Sequence, residues 1–553
     1  MADRKTPGMN KFLNKMKNHD KTMNFMGGVS FTINPLDTLK MISASSIFGE
    51  PSYYRTGEFE TRRVRDAEYS IHQLFLEYSI VDDEYKGMKT SEIMEKAIDE
   101  ALDHDYEATL RWAVTLRQDY LMRLNPQVIM VRAATHPGRA GFTKQNPGAF
   151  ADINRQVMAR ADEPATQLTY WLYKNKRSKK GIPGILKRSW AAKLSSLSRY
   201  ELFKYRNAGL GIIDTVRVCH ANSGDIDELM RTGTIAMGEG DITWEALRSS
   251  GMEWKKIIKT IEIPHMALLR NLRGIFTEIN DARLCKELME KLKGGVAKGK
   301  QFPFRYWSAM KAIDAESVNH KSIIMDALEE CVDIAAEQLP RLEGKTMCLS
   351  DNSGSAWGAF NSEYGSVTVA EIDNLSSVIT AIKSEDGYVG KFGDELIVKP
   401  VLKRNGILSQ SGAITENRQK DVGGGTENGV WLFFGNAIEK KEHWDNIFIY
   451  SDQQAGHGGL YGTSAGKEDY IAKGFGFDNY YVDVAKLIAA YRKKVNPKVN
   501  VFSIQTAGYT NVCIPEYGYR TNILYGWTGK ELLFAKAMID FWDGIEARDS
   551  QQG

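Results

Sequence analysis

A chain of 553 residues is too long for one hydrophobic core and divides into two or three domains. Its 42% hydrophobic and 26% charged content is ordinary for a globular protein, and no run approaches the roughly 18 apolar residues of a membrane span. A net charge of +2 says nothing by itself for a nucleic-acid partner; only a local concentration of charge does.

Residues 1–35 open on MADRKTPGMNKFLNKMKNHDKTMNFMGG, basic and polar without an apolar core. That composition predicts a mobile basic arm rather than a secretory signal. The five cysteines, Cys219, Cys285, Cys331, Cys348 and Cys513, are odd in number and widely spaced, with no CxxC pair for zinc. A reduced cytoplasm is the expected setting. The nine histidines are scattered and are expected to be structural or surface residues.

Residues 36–340 read as helices almost throughout. Ser91 to Leu102 places Met94, Ala97, Ile98 and Ala101 on one stripe, with Ser91 as the expected N-cap. Ser322 to Leu339 repeats the pattern with Ile324, Ala327, Leu328, Cys331 and Ala335, and Pro340 ends it. Such lengths with short polar connections predict stacked helix pairs without a fixed repeat period.

Within this region, the stretch from Lys174 to Arg217 holds twelve basic residues against two acidic ones, Glu201 and Asp214. Tyr170, Trp171, Tyr173, Trp190, Tyr200, Phe203 and Tyr205 are interleaved with them. Cations beside aromatic faces are what looped or single-stranded RNA requires for phosphate neutralisation and base stacking. The bland alternative is a solvated face with core aromatics behind it. Asp214, Arg217 and His220 are three apart, so they share a helical side, where an Asp214–Arg217 ion pair would merely support the helix.

After Pro340 the grammar changes. Over residues 341–553 expected strands (Thr346–Ser350, Gly387–Phe392, Glu395–Val401, Asn446–Ser451, Val499–Gln505) alternate with expected helices (Val367–Lys383, after Thr426, Val482–Lys494, Lys530–Trp542). This alternation predicts a doubly wound, mainly parallel α/β domain, with ligands beyond the carboxyl ends of its strands. Lys345 to Gly358, KTMCLSDNSGSAWG, runs from such a strand into an Asp-x-Ser-x-Ser turn. Asp351, Ser353 and Ser355 offer hard oxygens suited to Mg2+ or Mn2+. Three donors do not fill an octahedron, and Thr426, after a glycine run, and Asp452, ending an apolar strand, are the candidates for further oxygens. Gly423–Thr426 lacks the Lys and spacing of a phosphate loop, and Gly456–Gly466, with His457, reads as a flexible loop.

In order and spacing, Asp351, Ser353, Ser355, Thr426 and Asp452 resemble the metal-ion-dependent adhesion site of von Willebrand factor A domains. There the metal keeps a coordination position open for water or a partner's carboxylate. Lys204-Tyr205-Arg206 followed by Asp214, Arg217 and His220 resembles the TROVE module of Ro autoantigen proteins and their bacterial orthologues. Gly49–Arg55 (GEPSYYR), Gly184–Trp190 (GILKRSW), Ala267–Gly274 (ALLRNLRG) and Gln301–Ala309 (QFPFRYWSA) match the same family in order. The resemblance runs from Leu36 to the C-terminus. It implies a monomeric ring of HEAT-like helical pairs closed by the A domain.

Such proteins bind small noncoding Y RNAs on the outer surface and take single-stranded 3′ ends of misfolded RNAs into the hole; bacterial members associate with an exoribonuclease. Lys204 and His220 fall where the family contacts Y RNA, with Arg206 in the same turn, although the loop Asn207 to Gly211 is one residue short of the family's. Arg217, Lys187 and Arg188 lie in the same basic stretch, and Arg270 and Arg273 are candidates for an inner basic surface. The chain holds no recognisable nucleophile with a paired base, two-metal carboxylate cluster or general acid–base dyad. The expected function is therefore non-catalytic RNA binding in RNA quality control or degradation. The alternatives are a metal-dependent protein adaptor and, behind it, a metal-dependent nuclease.

Overall fold

A computed structural model of the chain describes residues 21–23, 29–31, 35–44, 90–120, 122–206, 212–236, 238, 242–358, 368–425, 428–451, 467–475, 482, 484–506, 520–525 and 531–551. Of the expected basic arm over residues 1–35, the first 20 residues lie outside the described residues, as do the GEPSYYR match, Thr426, Asp452 and His457. The chain forms two compact units, one holding the described residues between 33 and 246, the other those from 247 onward together with 21–31. Residues 21–31 contribute a small antiparallel pair, β1 (Lys21–Met23) with β2 (Val29–Phe31).

The first unit is helical: α1 (Pro35–Ala44), α2 (Thr90–His104), α3 (Tyr106–Gln118), α4 (Asn125–Thr135), α5 (Gly138–Gln145), α6 (Ala149–Val157), α7 (Glu163–Lys174), α8 (Gly184–Ser195), α9 (Arg199–Tyr205), α10 (Ile212–Cys219) and α11 (Gly224–Thr232). The expected stripe on α2 is in place, with Met94, Ala97, Ile98 and Ala101 fully buried. Its helix opens one residue earlier than expected, at Thr90, so Ser91 lies inside the first turn instead of capping it. Caps elsewhere satisfy the orphan amides of helix starts: Asp105 accepts from the Ala108 N–H (2.9 Å) and Ser223 from the Ile226 N–H (3.2 Å).

A buried amide cluster ties four of these helices together. Gln167 on α7 donates to Gln127 on α4 (2.8 Å) and Asn154 on α6 (2.7 Å), and accepts from the Trp190 indole on α8 (2.7 Å). Every such group is satisfied, which holds α8 in a fixed orientation on the core.

The second unit begins with the end of α12 (Trp244–Ser249) and continues through α13 (Trp254–Thr260), α14 (His265–Glu278), α15 (Ala282–Gly299), α16 (Pro303–Asp314) and α17 (Lys321–Glu337). Ile324, Ala327, Leu328, Cys331 and Ala335 are buried along α17, as the periodicity predicts.

An α/β layer follows: β3 (Leu342–Asp351), α18 (Gly354–Gly358), α19 (Val369–Lys383), β4 (Ser384–Phe392), β5 (Leu396–Pro400), α20 (Ile407–Thr415), α21 (Gly429–Lys440), β6 (Asn446–Ser451), α22 (Val484–Lys494), β7 (Asn500–Gln505), β8 (Thr521–Tyr525) and α23 (Glu531–Gln551). The sheet order is β5-β4-β3-β6-β7-β8, parallel except for the antiparallel edge strand β5. Central strands of such a sheet are covered on both faces. Met347, Leu349, Ile447, Ile449 and Val501 pack on α21 and α22 through Trp431, Phe434, Leu487 and Tyr491. The alternate residues Cys348, Phe448, Tyr450 and Phe502 are buried as well.

No helix among the described residues is long and apolar enough to cross a membrane. The four described cysteines are buried free thiols.

Candidate metal centre and candidate RNA interface

Strand order fixes the first site. The chain leaves β3 for β4 on one side and returns to β6 on the other, so the crevice beyond the ends of β3 and β6 is the topological switch point. Asp351 ends β3 and Ser451 ends β6. A carboxylate buried at 0% exposure must be hydrogen-bonded. One Asp351 oxygen accepts from the Ser353 N–H (2.9 Å) and the other from the Ser451 hydroxyl. The Ser353 and Ser355 hydroxyls lie 3.2 Å apart. Asp351 thus opens a turn in which the Ser353 and Ser355 hydroxyls pair, and a buried carboxylate followed by two paired hydroxyls is a hard donor set suited to Mg2+ or Mn2+.

Two backbone contacts bring the neighbouring loops to the same place. The Gly354 N–H donates to the Gly424 carbonyl (2.8 Å), two residues before Thr426, and the Asn352 N–H donates to Phe392 at the end of β4 (2.8 Å). Gly393 is required there, since an added Cβ would lie 2.4 Å from the Gly423 carbonyl oxygen. Lys391, 4% exposed, holds the same loop through Asp421 (2.7 Å). Sequence reasoning missed the support behind the carboxylate: Asn374 on α19 accepts from Ser350 (2.7 Å) and Asn352 (2.8 Å), and donates to Thr415 on α20 (3.1 Å). Asn374 sits mid-helix with no local signal. Ser451 adjoins Asp452 and was readable only as part of the strand.

The basic stretch divides into structural and exposed cations. Lys174 pairs with Glu95 (2.6 Å), Lys179 with Asp214 (3.9 Å), and Arg199 with Asp225 and Glu228. Asp214 thus faces Lys179 instead of the Arg217 partner considered from spacing. Glu201 is used as well, closing the capping box of α9 with Ser198. The other nine cations, among them Lys187, Arg188, Lys204, Arg206 and Arg217, have no carboxylate within 4 Å among the described residues.

The aromatics divide too. Tyr170, Trp171 and Trp190 are core residues at 7% exposure or less, which removes them from any stacking surface. Tyr200, Phe203 and Tyr205 are half-buried beside the cations: Lys204 Nζ lies 5.6 Å from the Tyr200 ring centroid and Arg206 Cζ 4.0 Å from that of Phe203.

His220 is exposed just past the end of α10, with φ at 57°, its N–H donating to Val216 (2.7 Å). Helix α10 packs on α7 and α8. Burial pushes the neighbouring Cys219 thiol up, and Lys187 on α8 is close enough to oppose that rise. In the other unit Arg270 is exposed, whereas Arg273 pairs with Glu316 (3.0 Å).

Helices with cations that have no carboxylate within 4 Å among the described residues, followed by a doubly wound sheet with an Asp-x-Ser-x-Ser cluster at its switch point, give the fold of a helical region followed by a von Willebrand A-like α/β domain. Among solved structures the chain is similar to the Ro (RSR) protein of Deinococcus radiodurans. The TM-score is 0.57 at 13% sequence identity, over 80% of this chain and 93% of that one. The likeness is one of fold. No family model and no curated protein matches the chain.

Proposed function

We propose that this chain is a non-catalytic, Ro-type RNA-binding scaffold. It holds a small noncoding, Y-like RNA on the surface of α8 to α10 and captures single-stranded ends of misfolded RNAs for quality control or degradation. The observation that carries this reading is the set of nine cations with no carboxylate within 4 Å among the described residues, two of which, Lys204 and Arg206, lie against half-buried aromatic rings, on a chain with the Ro fold. Lys204, Arg206, Arg217 and His220 make the contact, with Lys187 and Arg188 extending it. Asp351, Ser353 and Ser355, together with Thr426 and Asp452, hold Mg2+ or Mn2+ in a structural or protein-docking role.

The test is RNA affinity by fluorescence anisotropy across a salt series. With Lys204→Glu and Arg206→Glu combined, log K against log[salt] flattens by about two, one for each phosphate that no longer meets a cation. Asp351→Ala retains most of the RNA affinity and leaves the RNA uncut in Mg2+. Salt-insensitive binding, or affinity unchanged by the double charge reversal, rejects the RNA interface. RNA cleavage that disappears with Asp351→Ala points to a nuclease instead.

A further inference from the structure

Helices α5, α6 and α8 enclose a groove of about 620 Å³, within the roughly 300–1,000 Å³ of ordinary ligand sites. Its floor is apolar. Phe150 closes the bottom at 1% exposure, and the small side chains of Ala151 on α6 and Ala192 on α8 leave the slot open above it. Its lip is cationic, formed by Arg155, Arg188 and Lys193. Helical spacing produces this arrangement: Ala151 and Arg155 are four apart on one face of α6, as are Arg188 and Ala192 on α8.

The lip cations are available to a ligand anion. Arg155 pairs with Asp152 (3.0 Å), but both side chains are at least 60% exposed, and such a pair contributes little and exchanges readily. Lys193 donates to the Ala159 carbonyl (3.4 Å). Arg188 is exposed and has no carboxylate within 4 Å among the described residues.

A slot with an apolar floor and guanidinium groups at its mouth fits a flat, hydrophobic-faced group joined to an anion. A nucleotide has both parts, with the base in the slot, the phosphate on the lip, and guanidinium planes that also stack on bases. Helix α8 carries the slot on one side and Lys187 on another, so a phosphate chain leaving the lip continues onto the unneutralised basic surface. An acidic peptide would meet the lip charges and the hydroxyls of Thr143, Ser189 and Ser196, but a run of acidic side chains offers no flat apolar face to the floor of Phe150, Ala151 and Ala192.

We propose that the groove receives one unpaired nucleotide of a bound RNA. The inference rests on the RNA-binding reading above and makes the surface selective for single-stranded over fully paired segments.

The test compares a fluorescein-labelled 12-nucleotide single-stranded RNA with a blunt duplex, using the full chain. Ala192→Trp fills the slot from an exposed helical position without altering charge, and Arg188→Gln removes a lip charge without filling the slot. The expected result is about tenfold weaker single-strand binding for Ala192→Trp, with the salt slope unchanged and duplex binding unaffected. Arg188→Gln flattens the single-strand salt slope by about 0.7. Unchanged single-strand affinity in Ala192→Trp, beside intact binding by the unaltered chain, overturns the groove and leaves the RNA reading standing. Failure of the unaltered chain to bind either RNA overturns both. Loss of acidic-peptide binding in Ala192→Trp, with RNA affinity untouched, makes the groove a peptide site and overturns the inference.

Discussion

Asp351 brings a charge to the end of the central strand, where the surrounding fold already supplies donors from Ser353 and Ser451. A cation bound there stabilises the native state by mass action, about 2.7 kcal/mol at one hundred times its Kd. Asp351→Asn keeps the shape and removes the charge. Urea midpoints measured with and without Mg2+ should therefore shift upward for the unaltered chain and stay together for the variant; an equal shift in both would remove Asp351 from the metal site. Asp351, Ser353 and Ser355 were legible because they share one turn, so spacing alone places them together. Asn374 and Ser451 reach the site from 23 and 100 positions away, and no local pattern encodes that meeting. Trp190 shows the same limit in reverse: sequence interleaves it with cations, while packing turns it inward onto Gln167.

Between α14 and α15 two glycines make room for one histidine. An added Cβ at Gly295 would lie 2.5 Å from His265 Nδ1, and at Gly299 2.7 Å from its Cδ2, so the missing side chains are the seat of the ring. His265 Nε2 is 2.8 Å from the Tyr306 hydroxyl on α16, and its buried Nδ1 has no hydrogen-bond partner among the described residues. Burial holds the His265 pKa below its ordinary value of 6.5, because protonation would place an unsatisfied N–H and a charge inside the seam. The unfolded chain then takes up the proton first. The contribution of this seam to stability is complete above pH 6.5 and is lost as pH falls from there toward the lowered folded value. Urea titrations at neutral and mildly acidic pH should show a smaller acid-induced loss for His265→Gln than for the unaltered chain; equal losses would place the acid sensitivity elsewhere. At this scale the sequence predicts most of the α/β elements, since their apolar runs are long. It misses α20, whose ILSQSGAIT has weak helical propensity, and β8, whose TNILY is short for an isolated strand signal.

For the whole molecule, secondary-structure grammar and packing draw different lines. Helix gives way to strand near 340/341, yet the compact unit that holds the sheet takes in the helices from Leu247 onward as well. The reason lies in polar links that cross the change of grammar. Lys311 on α16 pairs with Glu371, Asp333 on α17 accepts from the Ile407 N–H at the start of α20 (3.1 Å), and Lys383 donates to the Glu337 carbonyl (3.1 Å). Glu371 also closes the capping box of α19 with Thr368, so one carboxylate serves both the helix start and the link. Three such links together contribute roughly 3 kcal/mol. Residues 341–553 alone should melt below residues 247–553 and lose part of the Mg2+ response, because α19 and α20 carry Asn374 and Thr415 behind Asp351. Equal melting temperatures and equal Mg2+ responses in calorimetry would instead make the helix-to-strand change an independent domain border, with the links across it contributing no net stability.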